Sequence, residues 1–128
     1  MIGLQLADDI LTQIRARGGR FHEQAYLFML EAIEYLQHQL PARRHVSGTE
    51  LSWACRDYAL GQFGLLAPHV LEYWGVDKTV DFGEIVFTLV EVGLLVTQPG
   101  DQIDDFTDVY QFGEAFRSAH VWQQVPRG

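Results

Sequence analysis

TVDFGEIVFTLVEVGLLV, residues 79–96, is the stretch whose reading decides the fold. Asp81 followed three residues later by Glu84 has the spacing of a capping box, in which each side chain takes the other's exposed amide. Thr79 is a rival cap two residues earlier. Both acids sit near the positive end of the helix dipole. Phe82, Ile85, Val86, Leu89, Val92 and Gly93 recur at helical spacing on one face. Phe87 and Val90 widen that face, so the helix is expected to be buried on more than one side. Gly93 is placed to end it in a left-handed conformation. Leu94, Leu95 and Val96 continue as a β-prone run, and Pro99-Gly100 is a turn signal. Residues 94 to about 109 are therefore expected to form a small β-hairpin. Asp104, Asp105 and Asp108 make its returning half, 102–109, a poor strand, and a loop is the competing reading.

Upstream, residues 4–17 read as a first helix, with Leu6, Ile10, Leu11 and Ile14 as a stripe. Asp8 and Asp9 near its start and Arg15 and Arg17 near its end suit the dipole. Residues 22–40 read as the longest helix. Ala25, Phe28, Met29, Ala32, Leu36 and Leu40 mark one face, and Tyr26, Leu30 and Ile33 an adjacent one. Such width predicts two packing neighbours. Pro41 ends it. Ser47 and Glu50 form a second capping box, opening a helix whose stripe is Leu51, Ala54, Cys55, Tyr58, Ala59 and Phe63. Residues 65–74 read as a short helix closed by Gly75, with Pro68 confined to its first turn.

Downstream, residues 112–120 read as a last short helix. Phe82-Gly83-Glu84-Ile85 is echoed by Phe112-Gly113-Glu114-Ala115, but the likeness stops there, as in two similar helix starts. The expected fold is a single, mainly α domain over 1–128, with five or six helices and the C-terminal hairpin. It divides into a helical half (1–64), a helix-plus-hairpin half (65–120) and a frayed tail (121–128).

The 128 residues, 48% of them hydrophobic, suit one globular domain. The longest weakly charged apolar run, 85–96, is too short to cross a bilayer. MIGLQLADD lacks a basic region and a cleavage pattern, so no signal peptide is read, and Gly at position 3 does not fit myristoylation. The single cysteine, Cys55, excludes an intramolecular disulfide and fits a cytoplasmic location. Net charge is −8. Residues 1–56 balance six arginines with six acids, whereas 57–128 hold eleven acids against Lys78, Arg117 and Arg127. The acidic half would repel a polyanion.

No catalytic constellation is visible. His22, His38, His45, His69 and His120 lack the short ligand spacings of a zinc site. Cys55 lies on an apolar stripe, where a buried structural thiol is the default. Asp101, Asp104, Asp105 and Asp108 lack the alternation of a calcium loop and read as a solvated acidic loop. No phosphate-binding or nucleophile-elbow motif occurs, and no cofactor or metal is expected.

Arg43, Arg44 and His45 stand just before a helix start, a fitting place for an anion or partner contact. The simpler account is a solvated loop whose arginines pair with the acidic half. The second half is winged-helix-like in outline, with 82–92 as the third helix and 94–109 as the wing. A DNA reader would present Arg, Lys, Asn or Gln there, but this helix presents Asp81, Glu84, Thr88 and Glu91. That places a protein partner along Glu84, Thr88 and Glu91.

Several stretches occur together in order: Arg44-His45-Val46-Ser47-Gly48 with Glu50-Leu51, Phe63-Gly64 with Leu66-Ala67, 70–76 (VLEYWGV), 81–87 (DFGEIVF), Leu89-Val90-Glu91, Gly93-Leu94-Leu95 and Asp105-Phe106. On these the chain resembles a family of uncharacterised small bacterial proteins, the Verruco-Plancto-restricted family. The resemblance implies a cytoplasmic bacterial protein and supplies no catalytic residues.

The leading expectation is a non-enzymatic protein-interaction or regulatory module that binds a protein partner or forms a homo-oligomer. The absence of a catalytic constellation, the acidic second half and the tryptophans Trp53, Trp74 and Trp122 point that way. An alternative is a nucleic-acid-binding regulator using Arg15, Arg17, Arg20, Arg43 and Arg44, which requires those side chains to converge. A further alternative is an enzyme with a site assembled from distant residues, to be recognised by a pocket holding a histidine and a carboxylate.

Overall fold

The computed structural model describes residues 2–17 and 19–117, with side chains from Asp9 onward. Its elements in chain order are α1 (Ile2–Ala16), α2 (Glu23–Gln39), α3 (Gly48–Phe63), a 3-10 turn (Gly64–Leu66), α4 (Ala67–Tyr73), α5 (Thr79–Glu91), a second 3-10 turn (Ile103–Phe106) and α6 (Phe112–Ala115). The architecture is mainly helical, as the periodicity predicts. The expected end of the last helix, 118–120, and the expected frayed tail, 121–128, lie outside the described residues.

The wide apolar surface of α2 is buried against two neighbours, α3 and α5. Its Ala25, Tyr26, Phe28, Met29 and Ala32 are buried. They meet Leu51, Cys55 and Ala59 of α3, Leu71 of α4, and Phe82, Ile85 and Leu89 of α5 in one core cluster. Each large side chain so enclosed contributes about 1.5–3 kcal/mol. The α3 start is built as its spacing predicts: Glu50 N–H donates to Ser47 Oγ at 3.0 Å, and Ser47 N–H to Glu50 Oε1 at 2.9 Å.

The start of α5 departs from expectation. The helix begins at Thr79, which makes Asp81 its third residue rather than its cap, and no Asp81–Glu84 box forms. The Asp81 carboxylate instead turns back to accept the N–H groups of Asp77 (3.0 Å) and Lys78 (3.3 Å). The Thr79 hydroxyl donates to the Phe106 carbonyl at 2.6 Å and accepts from Val109 N–H at 3.1 Å, so it ties a distant loop to the helix. At the other end Gly93, at φ 86°, closes the helix as predicted. Its N–H reaches Val90 O (3.0 Å) and the Leu94 N–H reaches Leu89 O (2.9 Å), the paired bonds of a Schellman stop.

The expected β-hairpin is not formed. Among the described residues there is no strand, so the winged-helix-like outline also lacks its wing. The acids of the segment explain why. Asp101 accepts Gln98 N–H at 2.7 Å and Asp105 accepts Gln102 N–H at 3.0 Å, so each folds its own stretch into a turn. Phe106 then packs inward, 5% exposed, against α5 rather than across a ladder. It rests on Gly83, where a Cβ would lie 2.8 Å from the Phe106 Cδ1.

Besides Asp81, a second charged side chain lies in the interior among the described residues. Arg56 of α3 is fully buried. It donates from Nη1 to the Ala115 carbonyl at 3.2 Å, sits 4.9 Å over the Trp53 ring, and places Nε 3.4 Å from Asp57 Oδ1. Tyr110, its ring tilted against that of Trp53 at 4.6 Å, donates its hydroxyl to Ser52 O at 2.7 Å. These contacts fasten residues 110–116 onto α3.

Candidate functional site

A cleft of about 310 Å³ opens between α2, the start of α3, the end of α5 and the segment 94–106. Its floor is apolar: Ile33, Leu51, Val86, Phe87, Leu95 and Phe106. Leu94 and Val96 line it too, and they stay 36% and 87% exposed. Val96 is thus an apolar side chain left almost wholly in water beside an apolar cavity. The β-prone run read from the sequence turns out to be one wall of this cleft.

The polar rim is built by the loop before α3. The Gln37 side chain of α2 clamps that loop, donating to Arg44 O at 2.7 Å and accepting Arg44 N–H at 3.2 Å. Arg44 then grips Glu50 with both nitrogens, at 3.1 and 2.7 Å. His45 reaches across to the 94–106 segment, with Nε2 3.3 Å from Asp101 Oδ1. A second, more open hollow of polar lining adjoins the rim and shares His45, Ser47, Asp101 and Asp105 with it.

Arg43, Arg44 and His45 therefore stand at or near the site, but each faces a carboxylate of this chain. Arg43 pairs with Glu34 of α2 at 2.8 Å, Arg44 with Glu50, and only His45 reaches the acidic half. The expectation that the loop arginines pair with that half is corrected: both partners lie in the first half of the chain. The cross-chain pairing is made by other arginines. Arg20 reaches Asp81 at 2.8 Å and also Glu84, and Arg17 lies 3.4 Å from Glu91. Arg15 pairs with Glu23.

Glu84, Thr88 and Glu91 are accordingly engaged within the chain. Arg20 and Arg17 hold the two acids, and Thr88 Oγ1 donates to Glu84 O at 2.9 Å. Asp81 is completely buried under the half-exposed Arg20. The sequence places Arg20 only in a basic set, because its partner 61 residues away leaves no local signal.

The Glu50 carboxyl is pulled down to about 2, first by the Arg44 guanidinium and then by Ser47, against partial burial. An unfolded glutamate titrates near 4.3. The resulting stabilisation is full above that value and is lost as pH falls through about 2. Glu50 is 39% exposed, so screening leaves on the order of 1 kcal/mol. We expect the stability gap between wild type and Glu50→Gln, from urea unfolding, to narrow below pH 4.3 and close near pH 2. A constant gap over that range would show that Arg44 does not hold this carboxylate.

Cys55 is fully buried, with Sγ 3.7 Å from Met29 Sδ, and burial pushes its thiol well up. It is a core residue, protonated at any physiological pH. The described residues bring no three His, Cys, Asp or Glu side chains together as metal ligands. Among them no helix is long and apolar enough to cross a membrane. Compared with protein-family models, with curated proteins and with solved structures, the chain finds no match.

Proposed function

We propose that the chain is a non-enzymatic interaction module whose cleft takes an apolar segment of a partner protein. The observation that carries this is Val96, 87% exposed on the wall of a cleft otherwise floored by core side chains. Apolar side chains grouped in this way mark docking surfaces. The charge around the cleft defines the occupant further. Asp101 and Asp105 line it, Asp104 is exposed beside them, and the whole chain carries −8. A segment with Leu, Ile or Phe anchors flanked by Lys or Arg meets both the floor and the rim. The cleft carries this reading better than Glu84, Thr88 and Glu91, whose acids already hold arginines. Those same ion pairs spend the charge that the nucleic-acid alternative needs. Kinship with the Verruco-Plancto-restricted family, on the residues quoted above, and a cytoplasmic setting, supported by the unbridged buried Cys55, belong to the same proposal.

Calorimetric titration with synthetic peptides tests it. Peptides with Leu or Phe anchors between lysines should bind, and their glutamate-flanked counterparts at least tenfold more weakly, a difference of about 1.4 kcal/mol. Val96→Glu should lose the lysine-flanked peptides. If wild type and Val96→Glu bind them equally, or neither peptide set binds, the cleft is not the docking site.

A second reading rests on His45 and Asp101. A histidine oriented by a carboxylate beside an apolar cleft is the residue pair that acid–base catalysis uses. Ser47 supplies no free nucleophile, because its hydroxyl caps α3. Turnover lost in His45→Gln, with peptide binding retained, would favour this reading over the first.

A further inference from the structure

We infer that the chain carries its own occupant for the cleft: residues 119–126, which follow α6, enter it and compete with the partner. The inference rests on the cleft being a docking site and names what fills it when no partner does. The segment has the composition that the cleft selects. Val121, Trp122 and Val125 are its apolar anchors, and Arg127 follows them. Acids stop short of it. All eleven acids of residues 57–128 lie before 115, whereas 115–128 hold Arg117 and Arg127. Against this stretch the cleft presents Asp101 and Asp105, with Asp104 exposed beside them. Arg44 lines the cleft too, but Glu50 holds it. The charges are therefore complementary. Of the tryptophans, Trp53 is engaged by Arg56 and Tyr110, and Trp74 by Phe28 and Phe63. Trp122 is assigned to the apolar floor.

The tether is long enough. Arg56 holds the Ala115 carbonyl against α3. Leu51, on the cleft floor, stands five residues earlier on the same helix. That is about 7.5 Å along the axis and about 140° around it, a surface path of about 15 Å. The seven steps from Ala115 to Trp122 reach about 23–25 Å when extended. A tether this short keeps the segment at an effective concentration in the millimolar range, so an intrinsic dissociation constant of about 0.1 mM fills the cleft in about nine-tenths of molecules. A partner then binds about tenfold more weakly than it would to the open cleft.

Calorimetric titration of the full chain with the lysine-flanked Leu peptide tests it. Trp122→Glu should bind the peptide about tenfold more tightly than wild type, and Trp122→Phe as wild type does. A second readout needs no peptide. Val96→Cys combined with Val121→Cys should close an intramolecular disulfide under mild oxidation about tenfold faster than Leu65→Cys combined with Val121→Cys. Leu65 is exposed as Val96 is but follows the far end of α3, and Cys55 is buried. Equal peptide affinity in wild type and Trp122→Glu, or equal closure of the two cysteine pairs, would overturn the inference and leave the docking role of the cleft standing. Peptide binding to neither protein would sink both. A disulfide joining two chains would assign the occupant to a second copy and overturn the inference as stated.

Discussion

Gly83→Val lowers the melting temperature by about 10 °C, whereas Gly113→Ala leaves it unchanged or raises it. The two glycines sit in matching Phe-Gly-Glu contexts, so local sequence gives no reason for them to differ. Their surroundings do. A Cβ at Gly83 would lie 2.8 Å from Phe106 Cδ1 and 3.0 Å from its Cγ, whereas one at Gly113 would meet nothing within 4 Å. Phe106 is itself buried, so its ring has nowhere to retreat. Overpacking of this kind costs about 1–3 kcal/mol, and a β-branched residue in mid-helix adds a little. For a domain of this size that corresponds to about 10 °C. Gly83→Ala separates the two contributions: better helix propensity favours it by up to about 1 kcal/mol, and the collision with Phe106 opposes it. Net destabilisation is expected. Should Gly83→Ala stabilise as Gly113→Ala does, Phe106 does not occupy that notch in solution.

The second large effect is at Arg56. Arg56→Ala should destabilise by about 3–5 kcal/mol, measured by denaturant unfolding. It removes the donor to Ala115 O, the cation over Trp53 and the ion-pair partner of Asp57 in a place without solvent. Burial already lowers the affinity of this guanidinium for its proton, with Asp57 opposing. Arg56→Met fills the volume but leaves Asp57 without this cation. Combining it with Asp57→Asn should recover part of the loss, a coupling of about 0.5–3 kcal/mol between neighbours. A cost below about 1 kcal/mol for Arg56→Ala would mean that residues 110–116 do not depend on this anchor.

Much of the helical frame was legible because its signals are local. Ser47 and Glu50, three residues apart, announce the start of α3, and Pro41 and Gly93 mark ends of α2 and α5. The apolar width of α2 foretold two neighbours. The misreadings came where a residue's partner is far along the chain. Leu94, Leu95 and Val96 carry β propensity, but with Asp101 and Asp105 turning the following residues, no strand among the described residues pairs with them. Asp81 looked like a cap because its spacing to Glu84 is right, yet its carboxylate is claimed by the amides behind it and by Arg20. The candidate cleft was half visible: Arg44 and His45 were singled out, but Asp101, Val96 and the floor residues join them only through the fold. Arg56, in the middle of an apolar stripe, is buried because a segment some 59 residues later covers it, and periodicity on α3 alone contains no trace of that cover.

The Thr79 hydroxyl has a consequence for how binding would be detected. The segment that supplies Val96 and Asp101 to the cleft is continuous with the loop that Thr79 holds at Phe106 and Val109. Opening of that loop dismantles the wall of the cleft and breaks the Val109 N–H bond in one event. A ligand that requires the wall must therefore suppress the opening in proportion to its occupancy. Amide hydrogen exchange at Val109 becomes a reporter for the cleft: it slows when the site is filled, even by an occupant that touches neither Val109 nor Thr79.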